Sequence, residues 1–495
     1  MASLIRFSQI LRLSFMLLRF RVQSSSPSQS SVDSPPHWCR PEERSALLDF
    51  KSTTNLAKDC FDTPRPIIQT WNGSEDCCLW KGITCDKSKG HVIGLDLSNN
   101  CLKANLTSNS SLFRLEKLQS LNLAYNDFSY PNLSFGFHRW KSLTYLNLSN
   151  SGYMDGSLLF DEIFLLSKLV SLDLSFNDGL LLLDNIKFQM LVHNLTELRF
   201  LILDSVNMSL VVPSSLLNLT SSLEHLSLSF CSLQGNFPSQ VFQLTKLVSL
   251  DLSYNYGLLL DNIKFQMLVH NLTELRFLIL DSVNMSLVVP SSLLNLTSSL
   301  EHLSLSDCYL QGNFPNQVFQ LPSLQLLDLS YNYDLRGNLP ESNQSSTLEY
   351  LNLANTNFSG ELPHSIGNLK LLKELYLDSC QFYGSIPGSL ANLTEITRLH
   401  LYFNHLWGQI PDVFGKIHKL THLNLEGNNF GGEIPASIFN LTHLTFLSLS
   451  SNTLLGCVPS WLFSLPSLSY LNLQNNRLIG SIDHVEMPNL ILQQV

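Results

Sequence analysis

A single motif, L-x-x-L-x-L-x-x-N, recurs along most of this 495-residue chain and restricts the folds open to it. Its second leucine falls at sixteen positions: Leu95, Leu121, Leu146, Leu172, Leu201, Leu226, Leu250, Leu278, Leu303, Leu327, Leu351, Leu375, Leu399, Leu423, Leu447 and Leu471. The step is constant from Leu327 onward and equal or somewhat longer before it. So short a unit cannot bury its own apolar side chains, and the sequence therefore predicts a solenoid whose coils pack on one another.

Each motif predicts one short β-strand, because its leucines alternate with polar or aromatic residues. In the segment TRLHLYFN, Leu399 and Leu401 are predicted to point into the coil, whereas Arg398, His400 and Tyr402 point outward. Stacked coils would pair these strands about 4.8 Å apart into one long parallel sheet. We therefore expect an α/β right-handed solenoid with the parallel sheet on its concave face.

The motif ends on a residue that we interpret as structural. In nine repeats it is an asparagine, whose buried amide can bond to backbone groups of the turn: Asn100, Asn126, Asn177, Asn255, Asn332, Asn404, Asn428, Asn452 and Asn476. Cys231, Cys308 and Cys380 stand there in three other repeats. None has a His or Cys at metal-ligand spacing, and we interpret them as small buried thiols, neither metal ligands nor nucleophiles.

After the strand, several repeats continue with glycine, a variable residue, an aliphatic residue and proline, as in GELP from Gly360 and GSIP from Gly384. Glycine suits a bend, and proline suits an edge strand that can spare its N–H donor. The combined pattern N-x-F/L-x-G-x-I-P resembles the plant-specific class of leucine-rich repeat. That resemblance implies a second, lateral strand in each coil and a twisted superhelix.

The region before the repeats strengthens the resemblance. CRPEERSALLDFK from Cys39 and WNGSEDCCLWKGITCD from Trp71 are similar to the N-terminal cap of plant receptor-like proteins, receptor kinases and polygalacturonase-inhibiting proteins. We expect the cap at 39–90 and the leucine-rich-repeat array at 91–495, with sixteen repeats and an incomplete one. Charged residues and leucines alternate in PEERSALLDFK as in an amphipathic helix, which would cover the open end of the first coil.

Six of the ten cysteines lie in and just after this cap, as expected for an oxidised domain: Cys39, Cys60, Cys77, Cys78, Cys85 and Cys101. Six cysteines allow fifteen connectivities. The family resemblance implies that Cys39 pairs with Cys77 and that Cys78 pairs with Cys85. Cys60 and Cys101 would then form the third disulfide.

The first residues predict entry into the secretory pathway. Residues 1–23 have a positive start and an apolar stretch typical of a signal peptide, although Arg12 and Arg19 interrupt or bound it, and a Ser/Pro-rich linker follows at 24–38. N-x-S/T sequons predict glycosylation at Asn72, Asn105, Asn109, Asn132, Asn194, Asn207, Asn218, Asn271, Asn284, Asn295, Asn343, Asn357, Asn392 and Asn440. A further sequon at Asn147 stands at an outward strand position, where a glycan would obstruct the inner face and favour a binding site further along.

Two features of the array bear on its history. Residues 184–229 recur unchanged as 261–306, and the offset between the two copies equals three successive repeats. Val495 follows Leu471 by one full repeat, in the predicted strand position of a seventeenth repeat. Because similar receptor-like proteins continue with more repeats, a C-terminal cap and one transmembrane helix, we expect a truncated product. It would be a plasma-membrane protein with an extracellular face when full-length, and an apoplastic one if the truncation is real.

Catalysis is not predicted. The sequence has no protein-kinase motif, P-loop, H-E-x-x-H or G-x-S-x-G, and we assign no catalytic residue, cofactor or metal. Charged residues make up 14% of the chain and the formal net charge is -10, so a nucleic-acid partner is not expected either.

Recognition of a ligand is the function that the pattern favours. Varied, aromatic-rich residues occupy the outward positions of the later strands, and we predict a ligand-binding site there: Tyr350, Glu374, Tyr376, Asp378, Arg398, His400, Tyr402, His422, Glu426, Phe446 and Tyr470. The resemblance implies the ectodomain of a plant cell-surface receptor-like protein. It would bind a peptide, protein or oligosaccharide in defence or development and signal through a co-receptor or adaptor receptor kinase.

Two alternatives remain open on the sequence alone. One is a secreted inhibitor of cell-wall-degrading enzymes, similar to the polygalacturonase-inhibiting proteins, although those are built from about ten repeats. The other is a non-functional truncated remnant.

Overall fold

The computed structural model describes residues 38–56, 66–103, 106–128, 136–152, 156–177, 181–341, 346–480 and 491–493. The predicted signal peptide and nearly all of the linker lie outside these residues, as do Cys60, Asn105, Asn132 and Asn343.

Sixteen coils, numbered here in chain order, each place one strand in a parallel sheet. These strands are β3 (Val92–Asp96), β5 (Ser120–Asn122), β6 (Tyr145–Asn147), β7 (Ser171–Asp173), β8 (Phe200–Ile202), β9 (His225–Ser227), β11 (Ser249–Asp251), β13 (Phe277–Ile279), β14 (His302–Ser304), β16 (Leu326–Asp328), β18 (Tyr350–Asn352), β20 (Glu374–Tyr376), β22 (Arg398–His400), β24 (His422–Asn424), β26 (Phe446–Ser448) and β28 (Tyr470–Asn472). Each pairs with the strand of the next coil, and the motif leucines face one another in register. The predicted solenoid with a parallel sheet is confirmed.

The seventeenth coil differs from the prediction in its register. Its strand β29 (Ile491–Gln493) pairs with β28, and Leu471 faces Leu492. Leu492 therefore takes the strand position, and the prediction that Val495 occupies it was wrong. The physical reason is a shorter return segment, because fewer residues join Asn476 to β29 than join Asn452 to β28.

The interior of each coil is filled by the motif leucines. Leu399 and Leu401 are fully buried, while Arg398, His400 and Tyr402 are only partly so, as the alternation predicts. Burying one leucine contributes about 1.5–3 kcal/mol. Because the buried layer continues from coil to coil, the core extends along the whole array.

The motif asparagines tie successive coils together. The Asn404 amide Nδ2 donates to the carbonyl of Leu377 at 2.8 Å and to that of Leu401 at 3.2 Å, and its Oδ1 accepts from the N–H of Phe382 at 3.0 Å. Cys380 takes the same position one coil earlier, where its Sγ donates to the carbonyl of Leu353 at 3.1 Å. The predicted structural role of these residues is confirmed.

A second, lateral sheet follows the first strand of many coils. Its strands are β10 (Gln234–Asn236) and β12 (Gly257–Leu259), then β15 (Gln311–Asn313), β17 (Asp334–Gly337), β19 (Asn357–Glu361), β21 (Gln381–Gly384), β23 (His405–Gln409), β25 (Asn429–Gly432) and β27 (Thr453–Leu454). Between β12 and β15, the described residues form only the isolated bridge from Leu259 to Asn284. In coil 8, Leu287 replaces the glycine of the motif, and in coil 5, Leu210 replaces it.

Short helices form the return side of the coils. The α-helices after the cap are α2 (Gly156–Ile163), α3 (Asn185–Asn194) and α4 (Asn262–Asn271). The 3-10 helices are η1 (Ile67–Thr70), η2 (Cys77–Leu79), η3 (Ser111–Arg114), η4 (Phe137–Arg139), η5 (Pro213–Asn218), η6 (Ser239–Gln243), η7 (Pro290–Asn295), η8 (Asn316–Gln320), η9 (His364–Asn368), η10 (Gly388–Asn392), η11 (Asp412–Lys416), η12 (Ala436–Asn440) and η13 (Ser460–Ser464). Among the described residues, no helix combines the length and apolar composition needed to cross a bilayer.

The cap closes the first coil with the predicted helix α1 (Pro41–Thr53). The Glu43 carboxylate at its start accepts from the N–H of Val92 at 2.7 Å and contacts the His91 ring at 3.0 Å, which joins the helix to β3. Two further cap elements are the antiparallel pairs of β2 (Ile83–Cys85) with β3 and of β1 (Asn55–Leu56) with β4 (Leu102–Lys103).

The disulfides of the cap agree with the resemblance. Cys39 is bonded to Cys77, and Cys78 is bonded to Cys85. Cys101 is also disulfide-bonded, and Cys60, its predicted partner, lies outside the described residues.

Candidate ligand-binding surface

The parallel register brings the predicted binding residues together. Tyr350, Glu374, Arg398, His422, Phe446 and Tyr470 face one another in sequence on successive strands, immediately before the motif leucine. Tyr376 and His400 form a second row after that leucine, and Asp378, Tyr402 and Glu426 form a third row two residues further on. The eleven residues therefore share one face over coils 11 to 16. We call this face the distal patch.

Polar contacts organise the first part of the distal patch. The Tyr376 hydroxyl donates to Glu374 Oε2 at 2.5 Å, and Arg398 Nη1 lies 3.7 Å from the same oxygen. Burial raises the pKa of Tyr376, so this phenol stays protonated. The Arg398 side chain is only partly buried, which leaves its guanidinium within reach of an added acceptor.

Aspartate and tyrosine pairs lie beside this group. Asp378 is buried and accepts a hydrogen bond from Tyr402, and burial raises the pKa of its carboxyl to about 6. One coil earlier, the Tyr350 hydroxyl donates to Asp328 Oδ2 at 3.3 Å, and the Asn352 amide donates to the same oxygen at 2.9 Å. These bonds fix the orientation of the tyrosine rings before any ligand arrives.

His400 lies at the centre of the distal patch. Its ring is 4.8 Å from the Tyr376 ring and 6.0 Å from the Tyr402 ring. Burial lowers its pKa to about 4, with further contributions from His422 and Arg398, so the imidazole is neutral near pH 7. Within the described residues its buried Nε2 has no hydrogen-bond partner, which is costly unless a ligand or water supplies one.

The far part of the distal patch is aromatic. His422 stacks on Phe446 with ring centroids 5.8 Å apart, and Phe446 stacks on Tyr470 at 4.3 Å with only 2° between the ring planes. Glu426 accepts from the Ser448 hydroxyl at 3.2 Å. The distal patch therefore changes from charged and hydrogen-bonding at coils 11 to 13 to stacked aromatic at coils 14 to 16.

A second polar surface occupies the concave face of coils 4 to 10, and the sequence analysis missed it. Asp173, Asp251 and Asp328 each accept from the N–H and hydroxyl of the serine two residues on, as in the 2.6 Å bond to Asp328 from Ser330. The signal was present in the sequence, since each of these residues begins a D-L-S tripeptide on an outward strand position.

Two more aspartates of this surface are bonded across coils. Asp204 and Asp281, in the two copies of the duplicated segment, accept from serines of the following coil, as in the 2.6 Å bond from Ser304 to Asp281. Burial raises the pKa of Asp204 to about 7, of Asp251 to about 6 and of Asp281 to about 8. We call these five residues, Asp173, Asp204, Asp251, Asp281 and Asp328, the aspartate row. Neighbouring carboxyls of the aspartate row raise the pKa of Asp204 and Asp281 further.

The sequons within the described residues fall into two groups. Asn72, Asn109, Asn218, Asn295, Asn392 and Asn440 are exposed, whereas Asn194, Asn207, Asn271, Asn284 and Asn357 are half-buried. The N-L-T asparagines end the return-side helices α3, η5, α4, η7, η10 and η12, away from the concave face. Asn147 is only 6% exposed, and its Oδ1 accepts from the N–H of Ser149.

Metal-ligating side chains converge at one place within the described residues. Asp76 lies there with Cys39, Cys77 and Cys78, but the three sulfur atoms are already joined in disulfides. The cluster is therefore part of the cap, where Asp76 accepts from the N–H groups of Cys39 and Cys78.

Comparison with known proteins identifies the type of array. A sequence profile described as the leucine rich repeat N-terminal domain matches residues 40–86. Leucine rich repeat profiles match residues 222–244, 299–321, 347–369, 371–393, 419–441 and 432–478. Receptor-like protein 6 of Arabidopsis thaliana is 33% identical over 355 residues, which cover 68% of this chain and 28% of that protein. Over the matched residues, this chain is similar to plant leucine-rich-repeat receptor-like proteins.

Other relatives agree with this assignment. Receptor-like protein Cf-9 of Solanum pimpinellifolium is 36% identical over 275 residues, which cover 53% of this chain and 31% of that protein. The chain thus spans about a third or less of the length of these two curated relatives.

Solved structures support the fold. The plant peptide hormone receptor RGFR1 in complex with RGF2 superposes with a TM-score of 0.57 and 27% identity, over 82% of this chain and 65% of that one. The ectodomain of the Arabidopsis receptor kinase HAESA, in complex with an IDA peptide, gives a TM-score of 0.57 at 24% identity, over 88% and 82% of the two chains. The second likeness is one of fold.

Proposed function

We propose that this chain is the ligand-recognising part of a cell-surface receptor and that it holds a peptide against the distal patch. The observation that supports this most is the buried, unpartnered Nε2 of His400, which lies between Tyr376 and Tyr402 and beside Arg398. A ligand that contributes one hydrogen-bonding group at this point would satisfy it. The likeness to RGFR1, solved with RGF2, supports a peptide as the ligand class.

The two halves of the distal patch suit different side chains of one ligand. Arg398, Glu374 and Tyr402 offer charge and hydrogen bonds, whereas Phe446 and Tyr470 offer a stacked aromatic surface. Tyr and Arg are typical anchors of binding interfaces, because each combines a large contact area with a polar end. An extended peptide that crosses several coils would meet both halves.

The remainder of the proposal concerns cellular context. From the chain's similarity to receptor-like proteins, we propose that it signals through a partner receptor kinase, in defence or development, after passage through the secretory pathway. Its relatives are receptor-like proteins, which supports a recognition role and not an enzymatic one.

Paired substitutions test the binding site. The probe is the peptide that the wild-type protein binds from a library of synthetic secreted plant peptides. The Arg398→Ala/Tyr402→Ala variant should bind this peptide about tenfold or more weakly, because it lacks both polar anchors. The control is Tyr383→Ala/Trp407→Ala, which removes two exposed aromatic residues from the lateral sheet. Affinity is measured by calorimetry on the secreted protein, with thermal melting as the check on folding.

Two results would count against this proposal. Equal peptide affinity in the wild-type protein and the Arg398→Ala/Tyr402→Ala variant would remove the distal patch as the binding site. Tight binding and inhibition of a polygalacturonase, without binding of any peptide, would favour the enzyme-inhibitor alternative.

A further inference from the structure

Aromatic side chains, all exposed except the half-buried Tyr254, line one edge of the concave face in coils 6 to 10, outside the distal patch. They stand where the inner strand ends, at the residue before the motif asparagine or cysteine and at the residue after it: Phe230, Tyr254, Tyr256, Tyr309, Tyr331 and Tyr333. We call this set the aromatic rim. Tyr256, Tyr309 and Tyr333 are 67%, 62% and 65% exposed, which is high for side chains that are largely apolar.

The rim rings form ordered groups. Phe230 and Tyr254 stack across adjacent coils with centroids 4.1 Å apart and 12° between planes. Tyr254 meets Tyr256 edge-on at 6.5 Å, and Tyr331 meets Tyr333 in the same way at 6.5 Å. The backbone at Phe230, Tyr254 and Tyr331 has φ between 56° and 60°, a conformation that bulky residues rarely adopt, and the coil itself imposes it.

The face beside the rim is acidic. On the strands of coils 4 to 10 and the residues that flank them, eight acidic side chains stand against two arginines, an excess of six: Asp173, Asp204, Glu224, Asp251, Asp281, Glu301, Asp307 and Asp328, with Arg199 and Arg276. Each arginine is already paired with a glutamate, Arg199 with Glu224 and Arg276 with Glu301. The two glutamates therefore neutralise the two arginines, and the acidic excess lies in the aspartates. Burial raises the pKa of Asp204 to about 7 and that of Asp281 to about 8, so these two carboxyls are partly or largely protonated near pH 7 until a cation lies beside them. Asp307 is the half-buried aspartate at the level of the rim.

The rim and the aspartates belong to one surface. Burial is the main cause of the raised pKa of Tyr254 and of Tyr331, and nearby aspartates add to it: Asp251, Asp281 and Asp328 for Tyr254, and Asp307 and Asp328 among others for Tyr331. Burial likewise raises the pKa of Asp281, and a cation placed here would oppose that effect. Aromatic faces also attract cations directly.

We infer that the aromatic rim, together with the aspartate row beside it, binds Lys and Arg side chains of a basic, extended peptide segment. The inference rests on the proposed peptide-receptor function and names the charge of the ligand. Charge complementarity selects this occupant, because aromatic rings alone would suit a neutral oligosaccharide equally well, whereas an excess of acidic side chains favours a cation. Alternate side chains of an extended peptide point to the same side, so alternating basic residues of one segment could contact several of coils 6 to 10, whose strands lie about 4.8 Å apart.

The experiment uses the secreted chain and three synthetic peptides of equal length and equal glycine and serine content. One carries alternating arginines, one replaces them by glutamines and one by glutamates, and cellohexaose serves as a neutral sugar. We expect binding of the arginine peptide only. Tyr256→Ala/Tyr333→Ala should weaken it roughly five- to twenty-fold, and Asp307→Asn should weaken it roughly two- to five-fold.

The Tyr383→Ala/Trp407→Ala variant is the matched control, since it removes two comparably exposed aromatic residues from the lateral sheet and should leave the affinity unchanged. Thermal melting verifies that the rim variants fold. Equal binding of the three peptides, binding of the arginine peptide that the rim variants do not weaken, or binding of cellohexaose that they abolish would each overturn the inference. If another peptide still bound in a manner sensitive to Arg398→Ala/Tyr402→Ala, the proposed receptor function would stand while this inference failed.

Discussion

At the scale of the residue, one position shows how the repeat chooses its side chains. In most repeats the residue that ends the motif donates to a backbone carbonyl of the preceding coil, and Asn428 does so with its amide to Leu401 at 2.8 Å. Cys308 does so with its thiol to Leu280 at 3.0 Å. Burial raises the pKa of this thiol well above its usual value, so it stays protonated as a donor. Asparagine and cysteine are both accepted because each supplies a donor, whereas Val206 and Val283, which supply none, fill the same position in coils 5 and 8.

Loss of that donor should be costly. We expect Asn404→Ala to lower the free energy of unfolding by about 1–3 kcal/mol, because it leaves the carbonyl of Leu377 and the N–H of Phe382 buried without a partner. Asn429→Ala, at an exposed position of β25, is the control and should change it by about 0.5 kcal/mol or less. Urea unfolding followed by fluorescence measures both, and equal midpoints would contradict the prediction.

The aspartates of the concave face predict a dependence of stability on pH. Burial and the neighbouring Asp328 raise the pKa of Asp281 to about 8, so the folded chain keeps a proton that the unfolded chain releases above its ordinary pKa of 3.8. The contribution of protonated Asp281 to the free energy of unfolding is therefore fully present at low pH and is lost as the pH rises toward 8. Asp281→Asn cannot ionise, and its melting temperature should exceed that of the wild type by a few degrees at about pH 8 but little at about pH 5.

A matched variant separates the titration of buried Asp281 from the effect of removing any carboxylate. Asp412→Asn alters an exposed carboxylate on η11, and its difference from the wild type should be the same at both pH values. A melting difference for Asp281→Asn that did not grow with pH would show that Asp281 is already ionised in the folded chain.

At the scale of the element, the lateral strands show how closely successive coils pack. Gly337 in β17 lies against the Phe358 ring of the next coil, and a Cβ added there would come within 2.6 Å of a ring carbon. Gly431 in β25 has more room, because the nearest atom to an added Cβ is Thr453 Oγ1 at 3.4 Å. Only the first of these two glycines is required by packing.

The two glycines therefore make a matched pair. Gly337→Ala should destabilise the protein by about 1–3 kcal/mol, because it overpacks a site occupied by a buried ring. Gly431→Ala should be close to neutral. Thermal melting of both variants tests this, and a larger loss for Gly431→Ala than for Gly337→Ala would refute it.

At the scale of the whole molecule, contacts mainly join neighbouring coils, so damage should remain local. Leu399→Asp places a charge in the interior of coil 13, where the wild-type side chain is fully buried. The substitution should lower the free energy of unfolding by about 4 kcal/mol or more. Hydrogen exchange should then rise in coils 12 to 14 while the cap near Leu47 stays protected. Leu399→Met is the control, because it preserves side-chain volume.

The outcome for Leu399→Asp also tests how independent the coils are. Exchange that increased equally in the cap and in coil 13 would show that the array unfolds as one unit. Unchanged exchange everywhere would contradict the inward orientation of Leu399.

Glycan placement is a second property of the whole molecule. In the secreted protein, peptide mapping should find glycans at the exposed asparagines Asn218, Asn295, Asn392 and Asn440 on the return side, and none at Asn147. Bare asparagines on the return side would argue against secretion, and a glycan at Asn147 would argue that β6 is not folded when the sugar is attached.

Sequence alone predicted most of the fold and part of the candidate site. The leucine period determines the coil, because so short a unit with alternating leucines has one arrangement that buries them all. The same alternation predicted that Arg398 and His400 lie on one face. The register of coil 17 was missed, because it depends on the length of a return segment that the leucine spacing does not reveal.

Only the tertiary structure decided how the outward side chains interact. The two copies of the duplicated segment make this plain: His225 stacks flat on Phe200 with 9° between planes, whereas the equivalent His302 meets Phe277 edge-on at 78°. Their local sequences are identical, so the difference comes from the coils around them. Helices, caps and the inward orientation of the leucines follow from the sequence because they depend on residues close together in the chain. The unpartnered nitrogen of His400, the cross-coil bonds of Asp204 and Asp281, and the stacking within the aromatic rim depend on which coils lie side by side.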